Sequence, residues 1–308
     1  MCKLDKRSNR MKSQIIKFIF TLILVIFYSC SNDNSLQTNL EEPNIDKPQI
    51  SVPFIIVVGQ SNAEGYAPYS SAPLWLSGNN YELNGYSIWN KGKKIFQEFQ
   101  LGVNVGSELN SDTRFGFDIF FAKRYIEEFN KPLLCIKQTL GGIPISEKGS
   151  GQIARWQASV NLIPKGERVM VLELAQKIKE AQDYAKKNNI KLIPIAILYL
   201  QGEADANHSR RLADYKNNFL ILKSYLRNLV GNNKLPFINS EIFYRDNKYK
   251  KVNSIFKELN LSDPFFKTVN TSGNQTSIGD NLHYDAAAFE FIGNTMFNYY
   301  LDLKKINK

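Results

Sequence analysis

The sequence predicts an α/β fold, a parallel sheet with helices on both faces. Three observations predict it. Strand-like apolar runs alternate with amphipathic, helix-like stretches from residue 54 to the end of the chain. Residues 54–58, Phe-Ile-Ile-Val-Val, are uniformly apolar and mostly β-branched, the pattern of a strand buried on both faces in the middle of a parallel sheet. Polar clusters then follow several of these runs directly, at the place where open α/β sheets bind ligands.

The chain does not begin with that fold. Lys3, Lys6, Arg7, Arg10, Lys12 and Lys17 accompany an apolar run over residues 15–28, the layout of a secretory signal and too short for a comfortable membrane span. Residues 1–29 are therefore expected to be a signal peptide. Ser29-Cys30 resembles a bacterial lipoprotein cleavage site, with Phe27 where such signals usually have Leu. Lipidation of Cys30 is the expectation over plain secretion, giving an exported chain anchored in the cell envelope, with the lipid as its sole membrane contact. Residues 30–50 lack periodicity and read as a flexible tether. Residues 51–308 are expected to form one domain.

Composition narrows the function. Of the formal charge of +10, the signal carries six basic side chains and one acid, so the remainder is near +5 with no long basic run. That excludes nucleic acid as an expected partner. With Cys2 and Cys30 assigned to the signal and the lipid, only Cys135 is left, in an apolar stretch where burial is expected, so neither a disulfide nor a cysteine metal site is anticipated.

After the first strand, residues 66–100 are rich in Gly, Ser, Asn, Pro and aromatics and read as long loops with one hairpin, residues 86–89 turning at 90–93 into 94–96. Trp75 and Trp89 are candidates for stacking on a sugar as well as for plain packing. Residues 113–129 read as a helix with Phe115, Ile119, Ala122, Ile126 and Phe129 on one side, and residues 133–137 as the next strand. Helix 169–188, strand 192–200, helix 212–230, strand 237–243, a short helical pattern at 254–259, a short strand at 265–269 and a closing helix at 285–303 complete the alternation.

Four polar clusters lie between these elements: Gly59-Gln60-Ser61-Asn62, Gly141-Gly142, Gln201-Gly202-Glu203-Ala204-Asp205 and Asp280-Asn281-Leu282-His283. A parallel sheet brings its strand ends to one edge, so these clusters can converge. Serine needs a base to take its proton, and imidazole is the usual one near pH 7. The chain has two histidines. His283 has an acid three residues earlier and is the favoured base, whereas His208 sits in a polar segment that reads as exposed. The backbone N–H of Ser61, one at Gly141 or Gly142, and the side-chain amide of Gln201 are candidate donors to an oxyanion. Gln201 can equally be a structural partner of the loops.

Those four clusters, in that order, resemble the blocks of the sialate O-acetylesterase-type carbohydrate esterases. These belong to the SGNH hydrolase superfamily and include the acetylxylan esterases of carbohydrate esterase family six. The resemblance covers about residues 53 to 300. It implies a flavodoxin-like three-layer α/β/α sandwich, a serine mechanism without metal or other cofactor, and an acetylated carbohydrate as substrate. By position it implies Ser61 as nucleophile and His283 as base, with Asp280 favoured and Glu203 the rival as the acid that orients the histidine. Gln60, Asn62, Gly141, Gly142 and Gln201 fall in the oxyanion and substrate-binding blocks.

The chain departs from the family pattern at three places. Leu140 precedes the glycine pair where an aromatic is common, Tyr284 follows His283 where proline is frequent, and Arg114-Phe115-Gly116 replaces Gly-Pro-Glu. These departures bear on pocket shape. They leave two other readings in view: a carbohydrate-binding lipoprotein with little activity, and an esterase for non-sugar acyl groups.

Overall fold

A computed structural model describes residues 48–106 and 113–306. The expected signal, Cys30 and nearly all of the expected tether lie outside the described residues. Seven strands form the main sheet among them: β1 (Ile50–Gly59), β2 (Glu82–Asn90), β3 (Ile95–Gln100), β4 (Leu133–Thr139), β5 (Ile190–Leu200), β6 (Phe237–Ser240) and β7 (Phe266–Val269). Their spatial order is β7-β6-β5-β1-β4-β2-β3. Every neighbouring pair is parallel except β2 with β3, the expected hairpin, which is antiparallel.

Without the hairpin the order reduces to the flavodoxin-like one, in which the chain winds outward from β1 in both directions. The crevice at such a switch point lies beyond the carboxyl ends of the two strands that flank it, here β1 and β5. Residues 54–59 of β1 are all buried, as a strand covered on both faces requires.

Among the described residues the five long helices are α1 (Asp118–Phe129), α2 (Met170–Lys187), α3 (Ser209–Asn228), α4 (Asn247–Ser262) and α5 (Ala286–Ile306). Two consecutive residues of β4 show that they cover both faces. Lys137 pairs with Asp118 of α1 at 3.1 Å, while Gln138 donates to Glu173 of α2 at 3.2 Å. Successive side chains of a strand point to opposite faces, so α1 and α2 sit on opposite sides. On α1's side, Phe121 meets Phe297 and Tyr300 of α5.

The structure corrects three boundaries. Helix α1 starts at Asp118, five residues later than its periodicity suggests. Arg114–Phe115 instead pairs antiparallel with Ala67–Pro68, and a Cβ on Gly116 would meet Gly65 Cα at 2.9 Å, so this backbone is used for a close crossing. Strand β6 stops at Ser240, because the N–H and carbonyl of Ile242 turn to the Asn253 side chain at 2.9 and 3.0 Å. Helix α4 runs over Asn247–Ser262 and not only 254–259. Its buried face, Tyr249, Val252, Phe256 and Leu259, is diluted by lysines in the sequence, and its start is fixed by Asp246, which accepts from the N–H groups of Lys248 and Tyr249.

Candidate active site

Strand β1 ends in a turn that only glycine can make. Gly59 has φ 147°, and a Cβ there would lie 2.0 Å from the Leu200 carbonyl oxygen and 2.7 Å from Ala63 Cβ. The Gln60 N–H donates to that same carbonyl at 3.1 Å, locking the end of β1 to β5. The indole N–H of Trp156 donates to the Gly59 carbonyl at 3.0 Å. Ser61 follows as the first residue of the helical turn Ser61–Glu64, a position whose backbone N–H has no acceptor within the turn.

His283 reaches this serine from 222 residues away, its Nε2 2.9 Å from Ser61 Oγ. On the other side of the ring, Nδ1 lies 2.5 Å from Asp280 Oδ2. With the proton on Nδ1, the ring donates to Asp280 and leaves Nε2 to accept from the Ser61 hydroxyl. Asp280 is itself fixed: its Oδ1 accepts the N–H groups of Leu282 at 3.0 Å and His283 at 2.9 Å. Partial burial pushes its carboxyl up, but the His283 N–H, the His283 ring and the Leu282 N–H outweigh this and hold it below the ordinary carboxylate value. It therefore remains an acceptor at neutral pH.

Glu203 is bound elsewhere. Its Oε1 accepts from Asn62 Nδ2 at 2.7 Å, and the same amide donates to the Leu282 carbonyl at 3.1 Å. Asn62 Oδ1 in turn accepts the Tyr284 N–H at 3.0 Å, a bond that a proline at this position could not make. Asn62 thus clamps the segment on either side of His283, with Glu203 behind it. Burial lifts the Glu203 carboxyl to about 7, against the hydrogen bonds from Asn62 and from the N–H groups at Glu203 and Gly202, and Asp205 nearby adds to the rise.

The imidazole is also held by its face. The Tyr66 ring stacks on His283 with centroids 4.0 Å apart and planes 10° from parallel, and the Arg114 guanidinium lies over the Tyr66 ring at 4.2 Å. Ser61, Tyr66 and His283 open into a cavity of about 440 Å³ whose walls include Gln60, Gly141, Gly142, Asn207 and Arg211. That is room for a small sugar or an ester of similar size. A Cβ on Gly141 would sit 3.5 Å from Ser61 Cβ, so this backbone passes beside the serine with nothing between them.

Several anticipated roles are not what the structure places. Gln201 is fully buried and does not line the cavity: its amide donates to Asp205 at 2.6 Å and to the Ile143 carbonyl at 3.3 Å, and its oxygen accepts from Tyr199 and Tyr215. It is a structural partner of the loops, the second role the sequence left open. The Asn62 side chain, expected with the oxyanion and substrate-binding groups, is spent on the clamp. Gln60 lines the cavity and its Oε1 accepts the Ala204 N–H at 3.3 Å. Trp89 is buried against Phe96 and Tyr184, and Trp75 packs edge-on to Phe120, so both belong to packing and neither lines the cavity. His208 is half-buried where α3 begins, not exposed, and it does not line the cavity at Ser61. Cys135 is buried, and burial chiefly, with Asp118, pushes its thiol up to about 12. Tyr66 and Arg114 were not singled out as site residues, although Arg114 opens one of the three departures from the family pattern.

Comparison with known proteins follows the same lines. Residues 51–302 match the family model described as carbohydrate esterase, sialic acid-specific acetylesterase. A solved structure of a protein from Arabidopsis thaliana is similar over 81% of this chain and 98% of its own, with a TM-score of 0.62 at 19% identity. NanS is similar over 85% of this chain and 99% of its own, with a TM-score of 0.57 at 15% identity. A carbohydrate acetylesterase from Xanthomonas citri is similar over 82% of this chain and 56% of its own, with a TM-score of 0.54 at 14% identity. At these identities the three likenesses speak for a shared fold. No curated protein sequence matches the chain.

Proposed function

The chain belongs to the sialic acid-specific acetylesterase family of carbohydrate esterases, and we propose that it removes O-acetyl groups from a sugar through an acyl-enzyme on Ser61. The observation that carries this reading is the row of hydrogen bonds from Ser61 Oγ through His283 to Asp280.

In the first half-reaction Ser61 Oγ bonds to the acetyl carbonyl carbon while His283 Nε2 takes the hydroxyl proton. Asp280 stabilises the imidazolium that results. The negative charge moves to the carbonyl oxygen, where the backbone N–H of Ser61 and one at Gly141 or Gly142 are the donors in this account. Collapse breaks the bond to the sugar oxygen, which leaves with the proton from Nε2. In the second half-reaction water gives its proton to Nε2, attacks the acetyl-serine and releases acetate, and the proton returns to Ser61 Oγ.

The substrate is tested by acetate release from acetylated sialic acid, acetylated xylan and acetylated pectin. Hydrolysis of at least one is expected. Cleavage of 4-nitrophenyl acetate with none of the three turned over would leave an esterase and remove the sugar. For location, we propose export and lipid anchoring through Cys30. Cys30→Ser is then expected to move the chain from the membrane to the soluble fraction, and an unchanged distribution would count against the anchor.

A further inference from the structure

One wall of the cavity at Ser61 is built of hydrogen-bond donors. Gln60 Oε1 accepts the Ala204 N–H at 3.3 Å, and the Ala204 carbonyl accepts from Arg211 Nη1 at 3.4 Å. Arg211 therefore stands two hydrogen bonds away from the residue beside Ser61, in the same lining. Asn207 belongs to that lining too, with its Oδ1 taken by the Tyr249 hydroxyl at 3.1 Å. With these oxygens spent, nitrogens are left over. Gln60 Nε2, Asn207 Nδ2 and Arg211 Nη2 have no hydrogen-bond partner among the described residues, and none of the three is shut off from solvent.

Arg211 is a cation whose charge is poorly compensated. It is 7% exposed, and its Nε donates to a second carbonyl, that of Lys148, at 2.7 Å. The acids around it are committed to other donors. Asp205 accepts the N–H groups of Ile145 and Ser146 at 2.9 and 3.1 Å and the Gln201 amide at 2.6 Å, and Glu167 is held by Arg155. Burial, chiefly, and the Arg155 charge hold the Arg211 guanidinium below its ordinary value, against the pull of Asp205 and Glu167. A buried charge in this state costs free energy unless a counter-charge comes to it. Gly149, at φ 81°, leaves the end of the guanidinium uncovered: a Cβ there would lie 2.7 Å from Arg211 Nη2 and 3.3 Å from His208 Nε2. Glu203, the one acid of the lining among the described residues, offers no free oxygen, since Oε1 is held by Asn62 and Oε2 is buried.

We propose that Arg211, with Asn207 and Gln60, reads a carboxylate on the substrate, so that the sugar deacetylated at Ser61 is a sugar acid. A carboxylate only accepts, and its two oxygens match the planar fork of a guanidinium. It answers three donors at once and supplies the counter-charge that Arg211 lacks. A sugar hydroxyl brings no charge and carries a donor of its own into a wall of donors. The inference rests on the proposed function for the acetyl group at Ser61 and for the sugar. Sialic acid and galacturonic acid both carry such a carboxylate, whereas an acetylated xylose unit does not and is the substrate this wall disfavours.

The test uses the full chain carrying Ser61→Ala, so that nothing is turned over, titrated calorimetrically with O-acetylated sialic acid, with O-acetylated galacturonic acid and with the carboxyl methyl ester of each. One of the two acids is expected to bind about tenfold or more tighter than its own methyl ester, and which one does so names the source of the carboxylate. Adding Arg211→Gln is expected to abolish that preference, and thermal unfolding checks that this variant folds. Asn207→Asp is the second variant. It sits at an exposed position, keeps an acceptor for Tyr249 and places a like charge before the carboxylate, so it is expected to reduce the preference, and it decides alone if Arg211→Gln does not fold. Acid and methyl ester bound alike, neither bound, or a preference that survives the substitutions overturns the proposal. Hydrolysis of 4-nitrophenyl acetate by the parent reports the Ser61 reading independently.

Discussion

Asn62 donates to Glu203 at 2.7 Å across 141 positions of sequence, and the same amide group holds the Leu282 carbonyl at 3.1 Å. The residue beside the serine therefore fixes the segment that carries the histidine. Glu203 is joined to the histidine's segment through this link, whereas Asp280 touches the imidazole directly.

Asn62→Ala removes the link and is expected to lower kcat by about 100-fold, because a histidine segment displaced by a fraction of an ångström loses its alignment with Ser61 Oγ. Glu203→Gln keeps an acceptor for Asn62 and is expected to retain most of the activity. Steady-state kinetics on 4-nitrophenyl acetate separate the two. An Asn62→Ala chain as active as the parent would remove the positioning role.

Glu203 also gives the fold a pH dependence. Its carboxyl is raised from 4.5 in the unfolded chain to about 7 in the folded one, so between these values the folded state holds more protons. The contribution of this group to stability is then present in full below pH 4.5 and is lost as pH rises through 7. Chemical unfolding across that range is expected to show the parent losing on the order of 3 kcal/mol relative to Glu203→Gln. Parallel stability curves for the two proteins would contradict this assignment.

Tyr66 restrains the His283 ring by stacking, with Arg114 behind it. A pair of this kind contributes about 1 kcal/mol, so Tyr66→Ala is expected to lower kcat by about fivefold, and Tyr66→Phe to preserve it. Equal losses in the two variants would indicate that the phenol hydroxyl matters and the ring contact does not.

Much of this fold was legible because its signals are local. The five apolar residues of β1 and the alternation after it carry the parallel sheet, and the stacking of strand ends follows from topology. What the sequence concealed is long-range or diluted. Lysines mask the apolar face of α4, and the early periodicity at Phe115 belongs to a backbone crossing, not to a helix. At the site, residue types at the strand ends named the candidates but could not say which acid meets the histidine, because that depends on side-chain direction. Gln201 illustrates the same limit: its block lies at the correct edge, yet its amide turns down to Asp205 and Ile143. Tyr66 comes from a stretch without periodicity and Arg114 from a short strand that the sequence reads as the start of a helix, and only the contacts of Tyr66 on His283 and of Arg114 on Tyr66 mark them.

The central claim is that Ser61 is the nucleophile, and the most direct test is kcat/KM for 4-nitrophenyl acetate in the parent and in Ser61→Ala at equal protein concentration. The account predicts a loss of about 10⁴-fold or more in a chain that still folds. A Ser61→Ala chain within tenfold of the parent would contradict it and move the chemistry to another residue.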